Sequence, residues 1–463
     1  MKTADFKNKK IAVLGLGLEG LSSVNFFSRK GALISVFDRK EKKEVDANFL
    51  KALEKLKAEF YGGENYLDNL LNFDLIVRSP GVKIPDEALE KLNKRGVEIT
   101  SQTKLFFDLS PAKIIGVTGT KGKGTTSALI YEMLLKQGLD AYLIGNIGKP
   151  ALEVLNKLNE HSIVVYELSS FQLLDLNKSP HIAVFLMTTK EHLNYHKNIE
   201  EYIDAKRNIL RFQESSDLAI VNRDYPASNE SDVFTKGKVF QVSREQGLLT
   251  DGIFVKDEAI FLKKNEEDKK LIDIKDVLLP GKHNLENICA ASITAMLSGV
   301  NDKNIITILK SFKGLEHRLE LIDTIKGVKY YDDSFSTTPE TAIAAIEAFN
   351  DPEILILGGS SKNSDFSELG KVISERENIK AIIGIGEEWK KIKEDILNLG
   401  AKTVLIEGAE TMEKIVKAVS KIAETGDIVL LTPACASFGM FRNYKERGEQ
   451  FKNEVRKLRM EMN

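Results

Sequence analysis

A glycine-rich loop between a predicted strand and a predicted helix constrains this chain more than any other feature. The loop lies in residues 113–126, which read KIIGVTGTKGKGTT. A β-branched apolar run precedes the glycines, and a helical pattern of apolar residues follows them. Glycines let backbone N–H groups approach phosphate oxygens, a helix N-terminus favours negative charge, and a lysine reaches the outer phosphates. The stretch therefore predicts a phosphate-binding site, with a flexible turn lacking a ligand as the alternative.

The spacing of this loop departs from the common G-x-x-x-x-G-K-[ST] pattern. Val117 stands where the first glycine belongs, and Gly124 replaces the hydroxyl residue that follows the lysine. Lys121 and Lys123 remain as the cations that a bound phosphate would meet.

Composition limits the class of protein. A chain of 463 residues with 42% hydrophobic and 29% charged residues predicts two or three globular domains. A net charge of -2 gives no support for nucleic acid or an anionic membrane as partner. The two cysteines, Cys289 and Cys435, exclude a disulfide framework. We expect neither a signal peptide nor a membrane span, and therefore a cytoplasmic protein.

The first segment has the pattern of a nucleotide-binding unit. A buried-strand pattern over 10–14 leads into G-x-G-x-x-G at 15–20, and a second strand ends at Asp38, about 20 residues after the glycines. This spacing predicts a Rossmann-like unit with Asp38 on a ribose or base edge. A tight turn without a ligand is the alternative. Ser110 and Pro111 mark a domain boundary near residue 110.

The second segment alternates strands and helices, which predicts a mostly parallel sheet. Glu167 follows one predicted strand, at the place where a Mg²⁺ ligand would stand beside a phosphate loop. A solvated acid near a helix N-terminus is an equal alternative. His192 and His196 follow the next strand, on the same predicted ligand side. Residues 227–277 are interpreted as short strands and solvated loops without chemistry.

The third segment begins near Gly314 and repeats the α/β pattern, with Gly, Ser, Thr or Lys at three strand ends. The whole chain is thus predicted to be an α/β protein of three domains. Residues 1–110 form a Rossmann-like domain, 111–313 a phosphate-loop ATPase-like domain with a central parallel sheet, and 314–463 a dinucleotide-fold-like domain.

Motifs spread over nearly the whole chain resemble those of the Mur ligases, the ATP-dependent amide-forming enzymes of peptidoglycan precursor synthesis. They are GLGLEGLS (15–22), RSPGV (78–82), GVTGTKGKGTT (116–126), GNIGKP (145–150), ELSSFQL (167–173), EHLNYH (191–196), YIDAKRNI (202–209), GKHNLENICAA (281–291), GLEHRLE (314–320), DDSFSTTP (332–339), LGGSSK (357–362) and TPACASFGMFRNYKERGEQF (432–451). Within the family the chain is most similar to the member that adds D-glutamate.

The resemblance implies a reaction. ATP would phosphorylate the carboxylate of UDP-N-acetylmuramoyl-L-alanine, and the amine of D-glutamate would attack the acyl phosphate through a tetrahedral intermediate. Lys123 would contact the outer phosphates, and Glu167 and His192 would hold Mg²⁺, with two ions expected. Lys206 resembles the family's carbamylated lysine, which would give Mg²⁺ a further oxygen ligand. Without the resemblance, Lys206 would be interpreted as a surface helix lysine.

The resemblance also implies where each substrate binds. The site for ATP would comprise Gly119, Thr120, Lys121, Gly122, Lys123, Gly124, Thr125, Asn284, Asn287, Arg318 and Asp333. The UDP-linked substrate would meet Leu18, Asp38, Ser79, Gly81 and Asn146. D-Glutamate would meet Thr337, Lys362, Ser437, Phe438 and Tyr444. These partners are small molecules, and we expect a monomer without nucleic-acid or membrane partners.

Several positions depart from the family pattern. Because Gly124 lacks a hydroxyl, Thr125 is the expected Mg²⁺ contact in the loop. Phe335 stands where many members have a lysine, and Asn194 and Gly439 replace common acids. A dehydrogenase would explain only residues 10–38, and a regulatory nucleotide-binding module would not need Glu167, His192 and Lys206 together. A sister ligase that adds another amino acid, or makes folylpolyglutamate, is the strongest rival.

Overall fold

The computed structural model describes residues 6–192, 195–248, 250–361, 364–400 and 403–462. They form two compact units. The first unit comprises Met1–Ile272 with Glu286–Ile308, and the second comprises Asp273–Leu285 with Leu309–Asn463. The three domain ranges expected from the sequence stay a prediction. Among the described residues, no helix combines the length and the apolar character that crossing a membrane requires.

The first sheet of unit 1 has five parallel strands in the described chain, in the order β3-β2-β1-β4-β5. This order is that of a dinucleotide-binding fold. Its elements are β1 (Lys10–Leu14), α1 (Leu18–Arg29), β2 (Leu33–Asp38), α2 (Ala47–Lys55), β3 (Glu59–Gly62), β4 (Leu75–Arg78), α3 (Asp86–Arg95), β5 (Glu98–Ser101) and α4 (Gln102–Leu109).

The second sheet has nine strands in the described chain, in the order β14-β13-β12-β11-β10-β9-β6-β8-β7. Its elements, and the helices around it, are β6 (Lys113–Thr118), α5 (Lys123–Gln137), β7 (Ala141–Gly145), α6 (Ala151–Val154), β8 (Ile163–Glu167), α7 (Ser170–Leu173), β9 (Ile182–Phe185), α8 (Ile199–Arg211), β10 (Leu218–Asn222), α9 (Pro226–Asn229), β11 (Lys238–Ser243), β12 (Gly252–Lys256), β13 (Ala259–Lys264), β14 (Glu267–Asp273), α10 (Lys282–Leu297) and α11 (Asp302–Leu309). Strand β6 lies between β8 and β9 and is buried after its first residue, as a parallel strand covered on both faces must be.

The third sheet belongs to unit 2 and has six strands in the described chain, in the order β15-β16-β20-β17-β18-β19. All neighbours are parallel except β15 and β16. Its elements are β15 (Glu320–Ile325), β16 (Val328–Asp332), α12 (Pro339–Ile346), β17 (Glu353–Gly358), α13 (Ser367–Glu375), β18 (Ile379–Ile385), α14 (Trp389–Asn398), β19 (Val404–Ile406), α15 (Met412–Ser420), β20 (Ile428–Leu431) and α16 (Tyr444–Met462). The predicted α/β class with three mainly parallel sheets is confirmed.

One local expectation needs correction. The sequence pattern predicts a helix over Leu21–Arg29, but helix α1 begins three residues earlier, at Leu18, and Gly20 lies inside its first turn. A Cβ at position 20 would meet the carbonyl oxygen of Gly15 at 2.0 Å, so the glycine allows the helix to pack closely against the loop that follows β1. Residues 238–273, in the region interpreted from the sequence as short strands and solvated loops, contain four strands that extend the second sheet.

Candidate functional site

The phosphate loop joins β6 to the N-terminus of α5, as predicted. Gly122 caps the helix with a φ of +85°, a left-handed conformation that favours glycine. A Cβ there would meet Oδ1 of Asn287 at 2.1 Å, so the loop packs closely against α10. The hydroxyl of Thr126 donates to the same Oδ1 atom over 3.3 Å. Gly124 and Thr125 both lie in the first turn of α5, and Thr125 is half-buried.

Two lysines approach one carbonyl oxygen of the loop. Nζ of Lys123 donates to the oxygen of Gly119 over 2.9 Å, and Nζ of Lys206 donates to the same oxygen over 2.8 Å. Lys206 lies on α8 and is only 1% exposed. Burial, and then the nearby ammonium of Lys123, lower the pKa of Lys206 well below its ordinary value. No feature of the sequence itself indicates that Lys206 is buried, whereas in the structure its Nζ atom contacts the phosphate loop.

The loop is also tied to the helix that carries Lys206. Nζ of Lys206 lies 4.7 Å from the ring centre of Tyr202, and the Tyr202 hydroxyl is 2.9 Å from Oγ1 of Thr120. Thr120 further donates to the carbonyl of Thr189 over 3.0 Å, so its hydroxyl supports the loop. Lys121 is exposed and pairs with Glu191 over 2.8 Å.

Glu167 ends β8, directly beside Val117 of β6 in the sheet register. It is 5% exposed, and its Oε2 atom has no hydrogen-bond partner among the described residues. Lys206 lies close enough to the Glu167 carboxylate for this negative charge to oppose the lowering of the Lys206 pKa. A buried carboxylate oxygen without a donor suits a hard cation such as Mg²⁺, so this side chain fits the predicted metal site.

His192 stands in the loop after β9 with a φ of +55°. Its Nε2 atom is 3.7 Å from a carboxylate oxygen of Glu191, and its ring packs 5.0 Å from Phe171. Burial lowers the pKa of His192, and the ammonium groups of Lys123 and Lys206 lower it further against the opposing effect of Glu191. A neutral imidazole can act as a metal ligand. The predicted group of Lys123, Glu167, His192 and Lys206 thus gathers around one loop.

The residues predicted for the UDP-linked substrate lie at the carboxyl ends of strands in unit 1. Asp38 accepts hydrogen bonds from the backbone N–H of Leu16 over 2.7 Å and of Lys40 over 2.9 Å. Ser79 donates to the carbonyl of Gly15 over 3.2 Å, joining the two loops. Leu18 is 72% exposed, and Gly81 and Asn146 are also exposed.

Sequence reasoning missed a polar network between the first and second sheets. Nε2 of Gln172 donates to Oε1 of Glu19 over 2.8 Å, and Nε2 of Gln102 donates to the Glu19 carbonyl over 3.0 Å. Arg78 is 7% exposed and pairs with Asp175 over 3.2 Å. A basic residue at the end of a buried strand was the available sequence signal, since a buried arginine needs a partner.

In unit 2, the predicted ATP residues lie on different segments: Asn284 in α10, Arg318 before β15 and Asp333 after β16. Asn284 donates to the carbonyl of Pro280 over 2.6 Å. Asp333 accepts from Thr432 Oγ1 over 3.0 Å and from the N–H of Leu319 over 3.1 Å. Its burial raises the pKa of Asp333 to about 8, although these hydrogen bonds oppose the rise. The guanidinium of Arg318 lies 3.8 Å from the ring centre of Phe335. Phe335 therefore makes a cation–π contact.

The predicted D-glutamate residues border the same loops. Tyr444 begins α16 and packs edge-on against Phe335 at 5.0 Å. Ser437 is buried, Phe438 is 62% exposed and Thr337 is half-buried. Lys362 lies outside the described residues.

Two buried residues that we did not predict hold these loops. The fully buried Arg447 donates to the carbonyls of Ser334 over 2.9 Å and Cys435 over 3.2 Å. Burial lowers the pKa of Arg447 to about 10. His317 lies 2.6 Å from a carboxylate oxygen of Asp332. Arginine and histidine inside the conspicuous 314–320 and 432–451 motifs were the signals available in the sequence.

Three parallel-dominated sheets and a phosphate loop surrounded by lysine, glutamate and histidine define a nucleotide-dependent α/β enzyme. Comparison with known proteins narrows this class. Residues 9–101 match the Mur ligase MurD-like N-terminal domain, 117–295 the Mur ligase middle domain, and 317–435 the Mur ligase glutamate ligase domain. The chain belongs to the Mur ligase family, and the resemblance drawn from its motifs is confirmed.

Relatives of known name match nearly the whole chain. A UDP-N-acetylmuramoylalanine–D-glutamate ligase from Acetivibrio thermocellus is 37% identical, with 98% of this chain and 97% of the relative covered. One of the same name from Thermoanaerobacter sp. is 38% identical, with 98% and 100% covered. The fold is similar to that of the MurF ligase from Thermotoga maritima in complex with ADP, with a TM-score of 0.56, 19% identity and 98% and 96% coverage.

Proposed function

We propose that this chain joins D-glutamate to UDP-N-acetylmuramoyl-L-alanine at the expense of ATP, as a step of peptidoglycan precursor synthesis. The names of its relatives at 37% and 38% identity support this assignment. The structural observation that carries it is the placement of Lys123 and Lys206 on one carbonyl of the phosphate loop, with Glu167 and His192 nearby.

The chemistry requires a poor leaving group to become a good one. The γ-phosphoryl group of ATP moves to the substrate carboxylate, which yields an acyl phosphate and ADP. The amine of D-glutamate then attacks the acyl carbon, and the tetrahedral intermediate loses inorganic phosphate. Lys123 and the N-terminal N–H groups of α5 stabilise the negative charge on the phosphoryl oxygens. These groups are fixed by the strand–loop–helix unit before any substrate arrives, which lowers the cost of reorganisation.

Glu167, His192, Lys206 and Thr125 would hold Mg²⁺, and two ions are expected. Bound Mg²⁺ would neutralise charge on the phosphate oxygens. Lys206 suits this role as a carbamate. Its lowered pKa favours the neutral amine, whose lone pair forms a bond to the carbon of CO₂. The nitrogen then releases a proton, and the buried neutral amine becomes a carbamate with an anionic oxygen ligand.

The remaining predicted residues would bind the three substrates, with a separate set of residues for each. Leu18, Asp38, Ser79, Gly81 and Asn146 would bind the UDP-linked substrate at the first sheet. Asn284, Asn287, Arg318 and Asp333 would bind the nucleoside and phosphates of ATP. Thr337, Ser437, Phe438, Tyr444 and Lys362 would bind D-glutamate. The sister ligase for another amino acid is less favoured, because the relatives share the D-glutamate name. A cytoplasmic monomer remains our expectation.

Phosphate release tests the proposal directly. The purified chain is incubated with ATP, Mg²⁺ and UDP-N-acetylmuramoyl-L-alanine, and D-glutamate, L-glutamate, L-alanine, L-lysine or meso-diaminopimelate is added in turn. We expect amino-acid-dependent phosphate release with D-glutamate alone, and none when the muramoyl substrate is omitted. Turnover with another amino acid but not with D-glutamate would contradict the assigned specificity.

A further inference from the structure

Arg78 ends β4 at the carboxyl edge of the first sheet, where its side chain is 9% exposed. Its Nη1 atom donates to the carbonyl of Pro80 over 3.1 Å and to the carbonyl of Val82 over 3.2 Å. One guanidinium nitrogen thus closes the turn that contains Ser79 and Gly81, two residues assigned above to the UDP-linked substrate. The turn is therefore fixed by the side chain that precedes it.

The same guanidinium reaches the second sheet of unit 1. Its Nη2 atom lies 3.2 Å from Oδ1 of Asp175, just beyond α7. Its Nη1 atom donates to the hydroxyl of Tyr195 over 3.4 Å, and that hydroxyl donates to the Pro80 carbonyl over 3.2 Å. Arg78, Tyr195 and Pro80 therefore form a closed triangle of hydrogen bonds. Tyr195 follows His192 by three residues in the chain.

We infer that Arg78 is a positioning residue for the UDP-linked substrate, which holds the turn 79–82 in a fixed place relative to Tyr195. The inference rests on the proposed function. The planar guanidinium of Arg78 contacts two carbonyls, a hydroxyl and a carboxylate at the same time. A lysine ammonium is a point charge and cannot reproduce that arrangement.

The consequence concerns the distance between two reacting groups. The substrate is held through its nucleotide at the first sheet, but its carboxylate must meet the phosphoryl group at the second. An error of about 1 Å in such placement can cost a factor of about 100 in rate. Arg78 acts on this placement through the turn and through Tyr195, without contacting the reacting atoms itself.

Steady-state kinetics of four variants test this role. Arg78→Met removes the charge and the hydrogen bonds but keeps most of the buried stem, Arg78→Lys keeps the charge, and Tyr195→Phe removes one hydroxyl. Lys104→Ala is the matched control, because Lys104 pairs over 3.3 Å with Oδ2 of Asp175, the carboxylate oxygen that Arg78 does not contact. KM for the UDP-linked substrate, KM for ATP and kcat are measured for each, together with the unfolding temperature.

We expect Arg78→Met to raise KM for the UDP-linked substrate about 10-fold or more and to lower kcat, with KM for ATP changed less than about 2-fold. Arg78→Lys should recover part of the loss. Tyr195→Phe should raise the same KM by a smaller factor, and combining it with Arg78→Met should add nothing, since the two share one network. Lys104→Ala should leave both KM values unchanged.

Equal increases in both KM values, or a lower unfolding temperature with both KM values unchanged, would overturn the inference. If Arg78→Met does not fold, Tyr195→Phe and Arg78→Lys decide it by the same comparison of KM values.

Wild-type protein that releases no phosphate with D-glutamate would refute the proposed function instead. In that case, direct binding of UDP to the wild type and to Arg78→Lys still tests Arg78: unchanged affinity overturns its role, and weakened affinity supports it.

Discussion

At the scale of single residues, Lys206 shows how burial changes the chemistry of a common side chain. An exposed lysine stays protonated at neutral pH, whereas this one is enclosed by the phosphate loop and Tyr202. Burial lowers its pKa, and the Lys123 ammonium lowers it further, so the neutral amine is favoured. If Lys206 were a buried ammonium beside the second cation, Lys123, it would destabilise the site. The side chain avoids this cost by becoming neutral or by gaining a negative charge. The proposed carbamate would resolve this conflict.

Replacement of Lys206 by alanine tests the carbamate. We expect Lys206→Ala to lose at least about 100-fold in kcat, because an oxygen ligand of Mg²⁺ would be missing. Added formate, acetate or propionate should restore part of the activity by filling the vacated space with a carboxylate. The control is Lys197→Ala, because Lys197 is exposed and lies just before α8, the helix that carries Lys206. This variant should keep its activity and show no response to these acids. Wild-type activity in Lys206→Ala would exclude an essential carbamate.

Glu19 gives a second prediction at this scale, which concerns stability and pH. Burial raises the pKa of Glu19 above its ordinary value, although Gln172 and Arg78 oppose the rise. Because the folded state prefers the protonated acid, its contribution to stability is full below the pKa of the unfolded chain. It is lost as the pH rises through the pKa of the folded state. Glu19→Gln stays neutral and keeps the oxygen that accepts from Gln172.

We therefore expect Glu19→Gln to unfold at a higher temperature than the wild type at pH 8, with the gap narrowing towards pH 4. Thermal unfolding followed by circular dichroism across this pH range measures the gap. The control is Glu90→Gln, whose side chain is 72% exposed and should show no such trend. A constant gap at all pH values would mean that ionisation of Glu19 is not involved.

At the scale of elements, the strand–loop–helix unit of β6 and α5 is defined by two glycines with nearly equal conformations. Gly122 caps the N-terminus of α5 with a φ of +85°, and Gly138 caps its C-terminus with a φ of +84°. Their surroundings differ. A Cβ at Gly122 would meet Asn287 at 2.1 Å, whereas a Cβ at Gly138 would meet nothing within 4 Å. The backbone cost of a side chain is therefore similar at both ends, but the steric cost falls on the loop alone.

Alanine at each position separates these costs. Gly138→Ala should lower the free energy of unfolding by about 1–2 kcal/mol, the cost of the left-handed conformation, with KM for ATP unchanged. Gly122→Ala should destabilise further and raise KM for ATP, because the loop must move away from Asn287. Chemical denaturation and steady-state kinetics measure both quantities. Equal effects of the two substitutions would contradict a role for the contact with Asn287.

Many of the strands and their ends were predictable from the sequence, because glycines and hydroxyl residues mark the ends of buried strands. The strands before Gly119, Glu167 and Gly358 were all anticipated within a residue or two. Short strands were expected between 227 and 277, but their place in the second sheet was not, because charged runs such as 263–268 lie at the ends of β13 and β14 and in the turn between them and resemble solvated loops in sequence. Contacts such as those of Arg78 join residues about 100 positions apart and leave no local periodic signal.

At the scale of the whole molecule, the chain forms two compact units, although its described residues form three sheets. The first and second sheets share unit 1, where contacts such as those of Glu19 with Gln102 and Gln172 connect them. If one sheet unfolded alone, the polar groups of the other sheet would lose their hydrogen-bond partners, which costs free energy. These contacts therefore favour joint unfolding of both sheets. The three domain ranges expected from the sequence would instead unfold separately.

Equilibrium unfolding in urea distinguishes these cases, because the sequence contains a single tryptophan. Trp389 lies in unit 2 and is 6% exposed, so its fluorescence reports that unit alone, whereas far-ultraviolet circular dichroism reports both. We expect two transitions by circular dichroism, only one of which coincides with the fluorescence change. Gly122→Ala, in unit 1, should shift the transition that fluorescence does not detect and leave the other in place. One transition shared by both probes would contradict two separately unfolding units, and a third would favour three independent domains.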